Sequence, residues 1–545
     1  MHLQQASAPG NTRPGPAGIS LLLLNASKIL NVQSTALVSI VVFVWLATTT
    51  GLYPLLLPDE GRYVGVAWNM LSVGQYSVPR LDGLPFFHKP PLFYWLTALS
   101  LNVFGVNEWA ARLCSVLSAT LMATVLFWFL KHYVNQRVAI VAVIVLATQP
   151  LFFGAAHYAD LDMMVAGIIA ATVIAGAVAA FKSENEEPYR AVLALAYALA
   201  AAGFLAKGLI GIVLPGGIIF FWLVGRRRFD TMWRMVSLPG IAVFLVLALP
   251  WMLYMQQRYE GFFDYYIVYQ HFYRFLEKGF NNPSPFWFYV PVLLGLTLPW
   301  SVHLWRLANK AWWRNPEHAA VRGLMLTWLL VVLIFFSLPA SKLIGYILPA
   351  LAPLAYFIAE PFAARLWGPQ AVRALKTFLW CAGLSVAICA AAVVTVTVKP
   401  QPSSKGLAVK LQAHYRPADK IVMLGGYRYD LDFYLRNGKT AFVVSDWDDP
   451  TIKTADNWRR ELYDAGLFEP MAASQLLIRP QELVHKMCSD RVVDLWLVGD
   501  VKNAANYGFL RNREPDLADG TLRVWYVPAG APLGFCAETP KAILK

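Results

Sequence analysis

The chain has 545 residues, 57% of them hydrophobic and only 14% charged, with a formal net charge of +13 and a mean hydropathy of +0.48. An ordinary soluble domain of this length is far less apolar, so the chain reads as a polytopic membrane protein. The positive charge is not a nucleic-acid footprint, because Lys and Arg gather between apolar runs, as in RRRFDTMWR at 226–234, where they set topology; no nucleic-acid partner is expected.

Residues 1–35 begin polar and Pro/Gly-rich, and LLLL at 21–24 is short and followed by Lys28, so no cleavable signal peptide is evident and a cytoplasmic tail is expected. Apolar segments long enough to cross a hydrocarbon core of about 30 Å follow near 36–57, 109–130, 137–155, 163–181, 191–206, 209–224, 236–253, 286–305, 322–338, 343–360 and 377–398. These are eleven spans, and kinked or split helices would raise the number to as many as thirteen. Basic residues crowd alternate loops at 132–137, 182–190, 226–234, 306–322 and 365–376, which the positive-inside bias places in the cytoplasm. The loops at 58–108, 156–162, 254–285 and 341–342 then face out, as does everything after the last span.

Polar chemistry concentrates on that outer side. In PDEGRY, Asp59, Glu60, Arg62 and Tyr63 open a predicted amphipathic helix with Tyr63, Val66, Ala67 and Met70 at helical spacing, as suits a helix lying on the membrane surface. A charge at mid-membrane depth costs roughly 2.5–3.5 kcal/mol, so acids at a span end need a wet cavity, a cationic partner or a metal. The alternative is that they only face the helix dipole. HKPPLFYW places His88 and Lys89 before Pro90 and Pro91, which suit the first turn of a second interfacial helix. Lys89 is either a compact phosphate grip or an anchor that snorkels beside aromatic residues.

HYADLD joins two spans through His157, Asp160 and Asp162, carboxylates that suit a divalent cation or the cationic groups of a site. A solvated turn accounts for Asp160; Asp162 abuts Met163 and Met164 and is assigned to function. YQHFYRFL contributes His271, Tyr273 and Arg274, and SKLIGY adds Lys342 and Tyr346 at an outer boundary. With Lys89, the cations Arg274 and Lys342 make a site for an anionic lipid.

At VTVKPQPSSKG, Pro, Ser and Gly mark a linker. Beyond it KIVMLGGY, TAFVVSD and VVDLWLVGD read as short buried strands and 457–463 as a helix, hence a soluble α/β domain over 399–545 after a membrane domain over 36–398. Gly425 and Gly426 lack a full phosphate-binding fingerprint and read as a turn. Cys488 and Cys536 are able to pair if this domain faces an oxidising compartment.

PDEGRY, PRLDGLPFFHKPPLFYW, FGVNEWAARLCSVL, LATQPLFF with HYADLD, and SKLIGYILPALAPLA occur in this order. Together they closely resemble the bacterial polyprenyl-phosphate-dependent glycosyltransferases of GT-C type, the lipid A 4-amino-4-deoxy-L-arabinose transferases and their protein O-mannosyltransferase relatives. The resemblance covers most of residues 50–360. It implies about thirteen spans with interfacial helices, a cavity facing the periplasm of a bacterial inner membrane, and a sugar donor on undecaprenyl phosphate. It places the essential acid on Asp59 and a second on Asp162, both as catalytic residues, and the cations for the carrier phosphate on Lys89 and Arg274, with Tyr346 matching a tyrosine of the same site. Glu60, Arg62 and Tyr63 are expected to touch substrate. Family members often carry Glu where His88 stands, so a divalent metal at this position rests on the histidine.

The chemistry implied is a single displacement at the anomeric carbon with inversion. Lys89 and Arg274 stabilise the leaving phosphate, and Asp59 is general base if the acceptor is a hydroxyl. If the acceptor is a lipid A phosphate, which is already anionic, Asp59 orients it or counters the sugar's charge. Hexose or mannose transfer to another glycan or to protein is the second reading. A lipid-linked sugar flippase, from another class, is disfavoured because transporters place charges near the midplane on broken helices.

Overall fold

Backbone polar groups in lipid are satisfied only within helices or closed barrels, and each of the eleven apolar segments contains helix in the computed structural model. The structure describes residues 34–273, 283–399, 401–454, 456–489, 492–511, 513–530, 533 and 536. Arg274 and most of the expected N-terminal tail lie outside them. Among the described residues, seven helices are long and apolar enough to cross a membrane: Glu108–Tyr133, Leu161–Glu184, Arg190–Lys207, Leu238–Arg258, Ala319–Ser337, Ile344–Leu366 and Ala371–Val398. An eighth results if Gln136–Thr148 and Pro150–Ala156, bent by 66°, cross together; Pro150 cannot continue the hydrogen-bond ladder of the preceding helix.

That number is smaller than eleven for local reasons. The first segment is helical only over Thr35–Ala47, and 286–305 divides at Pro299 into Tyr289–Leu296 and a 3₁₀ turn at Trp300–Ala308. Ile210–Gly225 carries Pro215 inside it and stays short.

The Leu161–Glu184 helix is the bundle's axis, 94% buried over its apolar window. Its Gly167 lets the Glu108–Tyr133 backbone close in: a Cβ there would stand 2.4 Å from the Ser118 carbonyl oxygen, the close approach that small residues permit between membrane helices. Gly203 and Gly211 pack backbone against backbone in the same way. Between them the chain reverses at Gly208, φ +83°, and this turn carries Lys207 to the N-terminal end of the axial helix, beside Asp162.

The loop expected to face out, between Thr35–Ala47 and Glu108–Tyr133, folds as two helices, Asp59–Val73 and Leu92–Phe104, with a hairpin between them. Its strands are β1 (Arg80–Leu81) and β2 (Leu84–Pro85), joined by Asp82 and Gly83 at positive φ as a tight hairpin requires. The expected apolar face of Asp59–Val73 is buried, with Tyr63, Val66, Ala67 and Met70 each 8% exposed or less. The helix is nevertheless not a surface helix with a wet back. Gly61 and Gly65, one turn apart, give it a flat second face on which Tyr429 rests; a Cβ at Gly65 would stand 2.9 Å from the Tyr429 carbonyl oxygen.

Tyr429 belongs to the C-terminal α/β unit, a six-stranded sheet in the order β5-β4-β3-β6-β8-β7. Here β3 is Lys420–Leu424, β4 Phe442–Val444, β5 Leu477–Ile478, β6 Leu495–Asp500, β7 Leu517–Asp519 and β8 Leu522–Val527. The first four neighbours run parallel and the last two antiparallel. Three strands and the Trp458–Leu467 helix, capped by Asn457, fall where their apolar runs predict. Gly425 takes φ +62° and its N–H donates to Val444 O at 3.0 Å, a turn tied into the sheet. Cys488 and Cys536 form a disulfide. Tyr429, Phe433, Val443 and Leu462 share one apolar core with the membrane helices. Ion pairs Arg62–Glu461, Arg80–Glu469 and Lys405–Glu108 join the unit to the outer loop.

Candidate active site

Asp59 and Glu60 are adjacent on one helix turn and therefore point in different directions. Asp59 is half-buried at the helix start, its side chain 42% exposed and ion-paired with Arg62 one turn on. Glu60 is fully buried. It takes Arg112 Nε and Nη2 at 2.8 and 2.7 Å, and accepts the backbone N–H groups of Leu56 at 2.7 Å and Ala159 at 2.6 Å. Arg112 spends its remaining donors on the carbonyls of Thr50, Tyr53 and Pro54. Every strong acceptor direction of Glu60 is used inside the protein, so the expected substrate contact is corrected: Glu60 ties the outer loop to the Glu108–Tyr133 helix and to the loop before Asp160.

Arg62 is divided between two acids, Asp59 and Glu461 of the α/β unit. Glu461 is 4% exposed and also accepts the Tyr429 hydroxyl at 2.5 Å; burial pushes its carboxyl up despite Arg62 and Tyr429. Tyr63 is 8% exposed, its ring 6.2 Å from Phe93 and 6.4 Å from Tyr94, with the Arg62 guanidinium 5.0 Å from its centroid. Tyr63 thus supports Arg62, and only its hydroxyl end stands in the field of Asp59 and Asp160.

A second charged group lies at the N-terminal end of the axial helix. Asp160 caps that helix by accepting the Leu161 N–H. Burial first, then the neighbouring Asp162 charge, pushes the Asp160 carboxyl up, against the opposing pull of Lys207. Asp162 is ion-paired with Lys207, and Lys207 Nζ sits 4.5 Å from the centroid of the Tyr346 ring. A Cβ at Gly345 would fall 2.1 Å from Asp162 Oδ2, so only glycine at 345 leaves this carboxylate in place. The Asp162 and Tyr346 expected from sequence are therefore brought together. Lys207, which no motif reading included, joins them, and Asp160 connects this group electrostatically to Asp59.

Lys89 is half-buried at the turn before the Leu92–Phe104 helix, whose N-cap is Pro91. Lys342 is 3% exposed and donates to the carbonyls of Ser284 at 2.9 Å and Pro339 at 2.5 Å, so the expected lipid-facing cation is instead engaged by backbone. His88 stacks on Phe86 with ring centroids 4.5 Å apart and lies 6.1 Å from Tyr265. Among the described residues no three His, Cys, Asp or Glu side chains gather as a metal-ligand group. Phe86 supplies no oxygen or nitrogen donor, and the metal role expected for His88 gains no group of ligands among the described residues.

Residues 88–254 match the family described as dolichyl-phosphate-mannose-protein mannosyltransferase. The undecaprenyl phosphate-alpha-4-amino-4-deoxy-L-arabinose arabinosyl transferase of Aeromonas salmonicida is 31% identical over 357 residues, covering 65% of this chain and 64% of that protein. The chain thus aligns with somewhat under two thirds of that relative's length. Among solved structures, ArnT from Cupriavidus metallidurans bound to undecaprenyl phosphate superposes with a TM-score of 0.74 at 21% identity, covering 95% of this chain and all of that one. The Archaeoglobus fulgidus oligosaccharyltransferase in its apo form gives a TM-score of 0.51 at 11% identity, covering 87% of this chain and 70% of that one. The fold is that of these two proteins.

Proposed function

We propose that the chain is an integral-membrane glycosyltransferase that moves 4-amino-4-deoxy-L-arabinose from undecaprenyl phosphate to a phosphate of lipid A at the outer face of a bacterial inner membrane. The observation that carries this reading is the gathering of Asp59, Arg62, Asp160, Asp162, Lys207 and Tyr346 at one end of the helical bundle, beneath an α/β unit that buries Arg62 and Glu461. A flippase needs access from both sides. A transferase needs one water-poor chamber where charge is fixed before reaction.

In the proposed site Lys89 meets the leaving phosphate, a role expected also of Arg274, which lies outside the described residues, and the negative charge that builds on it is stabilised without reorganisation. Asp59 faces the acceptor. Against an anionic phosphate acceptor it does not act as a base; it orients the acceptor and balances the sugar's cationic character, while Arg62 keeps it in place. Asp162 and Lys207 neutralise one another and hold the Tyr346 ring as a wall.

Topology follows the positive-inside bias, with the α/β domain of residues 399–545 in the periplasm after a membrane domain over 36–398. The Cys488–Cys536 disulfide supports an oxidising compartment for this end. The shorter apolar helices complete a set of eleven to thirteen spans. Transfer of a hexose or mannose to another glycan or to protein is the second reading, favoured by the mannosyltransferase match over residues 88–254. Mass spectrometry of lipid A from cells with and without the chain separates the two: aminoarabinose-bearing lipid A that depends on the chain supports the first, and unchanged lipid A with an altered glycan or glycoprotein supports the second.

A further inference from the structure

Toward the end of the bundle remote from Asp59, a cavity lies among helices two of which carry Asp162 and Lys207 at their other ends. The Leu161–Glu184, Arg190–Lys207, Ile210–Gly225, Phe229–Met235 and Leu238–Arg258 helices line about 470 Å³ of space, within the range of built small-molecule sites. The walls are almost wholly apolar, with Leu193, Ala200, Ile212, Leu223 and Met235 among them. The cavity runs from the Met235 end inward to Thr172. Thr172 stands twelve residues before Glu184 (184 − 172), roughly 18 Å at 1.5 Å per residue, or about the depth of one leaflet of a ~30 Å core. Two wall residues, Phe220 and Ile241, are 47% and 36% exposed, so the cavity opens sideways toward lipid.

The rim is basic. Arg226 donates to both carboxylate oxygens of Glu184 at 3.0 and 2.9 Å and neutralises it, while Arg228 Nε lies at the outer limit of an ion pair with the same acid, 4.0 Å away. Arg227, Arg228 and Arg234 are exposed, against a single exposed acid on this segment, Asp230. Beside them Phe229, Trp233 and Leu238 are 51%, 70% and 80% exposed, the aromatic and apolar anchors of a segment at headgroup level. An apolar slot one leaflet deep under a cluster of exposed arginines is complementary to a lipid of matching charge.

We propose that this cavity holds one acyl chain of an anionic glycerophospholipid drawn from the leaflet opposite the candidate active site, with the lipid phosphate at Arg227, Arg228 and Arg234. The lipid fills the space between these five helices and adds to the packing they already make with one another. The polyprenyl carrier is the other source of an apolar chain with a phosphate, but its phosphate belongs at Lys89, at the other end of the bundle.

The test uses the full chain purified in mild detergent and examined by native mass spectrometry, then re-lipidated from vesicles of equal parts phosphatidylglycerol and phosphatidylethanolamine. The parent is expected to retain one phosphatidylglycerol. A Cβ at Gly216, which lines the cavity, meets nothing within 4 Å, so Gly216→Phe should plug the slot and abolish retention while the chain stays folded. Replacing Arg227, Arg228 and Arg234 by Gln should keep a lipid but lower the preference for phosphatidylglycerol about five-fold for each arginine removed. Should Gly216→Phe fail to fold, phosphatidylglycerol bearing a photoactivatable acyl chain should crosslink to the parent at residues 193–223. Retention of undecaprenyl phosphate in place of phospholipid, equal retention by a folded Gly216→Phe, or crosslinks only outside the cavity would each overturn the proposal.

Discussion

Replacing Glu461 by Gln removes one of the two acids that share Arg62 while keeping the side chain's shape and its hydrogen bond to Tyr429. Arg62 and Glu461 have side chains only 16% and 5% exposed, so solvent does little to screen the change. A hydrogen bond to a charged group is worth about 1.5–3 kcal/mol and a neutral one about 0.5–1.5, so the grip on the guanidinium weakens by roughly 1–1.5 kcal/mol, and its charge is then balanced by Asp59 alone. Asp59 is drawn from the acceptor toward Arg62. The expected result is a five- to fifteen-fold fall in kcat with KM for the lipid donor nearly unchanged, because the proposed site holds the donor's phosphate at Lys89, away from this pair. The assay is turnover by the purified full chain in lipid nanodiscs, with thermal unfolding followed in parallel. Glu461→Ala, which also leaves Tyr429 without its acceptor, should lose more in both. A folded Glu461→Gln with the parent's kcat would refute the idea that the α/β unit positions Asp59.

Three further outcomes are expected. Lys89→Met should lose binding of undecaprenyl phosphate and turnover together, whereas Lys89→Arg should retain part of each; silence of both variants would make Lys89 an anchor and leave the phosphate to Arg274. Burial raises the Asp82 carboxyl from 3.8 to about 8, against the Ala441 N–H that it accepts, and raises Asp432 nearby to about 7. A carboxyl raised on folding stabilises fully below its unfolded value, and that contribution declines as pH climbs through the folded one. Docking of the α/β unit on the hairpin should therefore weaken between about pH 4 and pH 8, and Asp82→Asn should flatten the trend in hydrogen exchange at residues 80–85. Arg112→Met strands the buried Glu60 and should destabilise the chain by about 3–5 kcal/mol, seen as lost expression; near-normal stability would restore Glu60 as a candidate substrate contact.

Much of this was legible because hydropathy and helical spacing report directly on burial. The helices at Asp59 and Leu92 and three strands of the sheet lie where their residues predict, although the first is covered by the α/β unit rather than lying on a membrane surface. The roles of neighbouring acids were not, since Asp59 and Glu60 differ only in direction, and Glu60's partner Arg112 stands fifty-two residues away in a run read as a span. Lys207 carried a readable signal, a lone cation in the apolar stretch AAGFLAKGLI, because an ionisable group within a span is a functional candidate by default. Glu461 carried none: on a polar helix of the α/β unit one acid looks like another until the fold sets it against Arg62. The three-cation reading failed at Lys342 because a lysine at a boundary finds backbone carbonyls as readily as phosphate.

The central claim is that Asp59 serves transfer of an aminoarabinose from undecaprenyl phosphate to lipid A. Purified parent and Asp59→Asn protein, matched for folding and for undecaprenyl phosphate binding, should be given undecaprenyl phosphate-aminoarabinose and lipid A, and the product read by mass spectrometry. The account predicts aminoarabinose-bearing lipid A with the parent and at least a hundred-fold less with Asp59→Asn, the order lost with a group acting in the transition state. Equal product from both proteins would remove Asp59 from the chemistry, and no product from a folded, carrier-binding parent would contradict the assigned reaction.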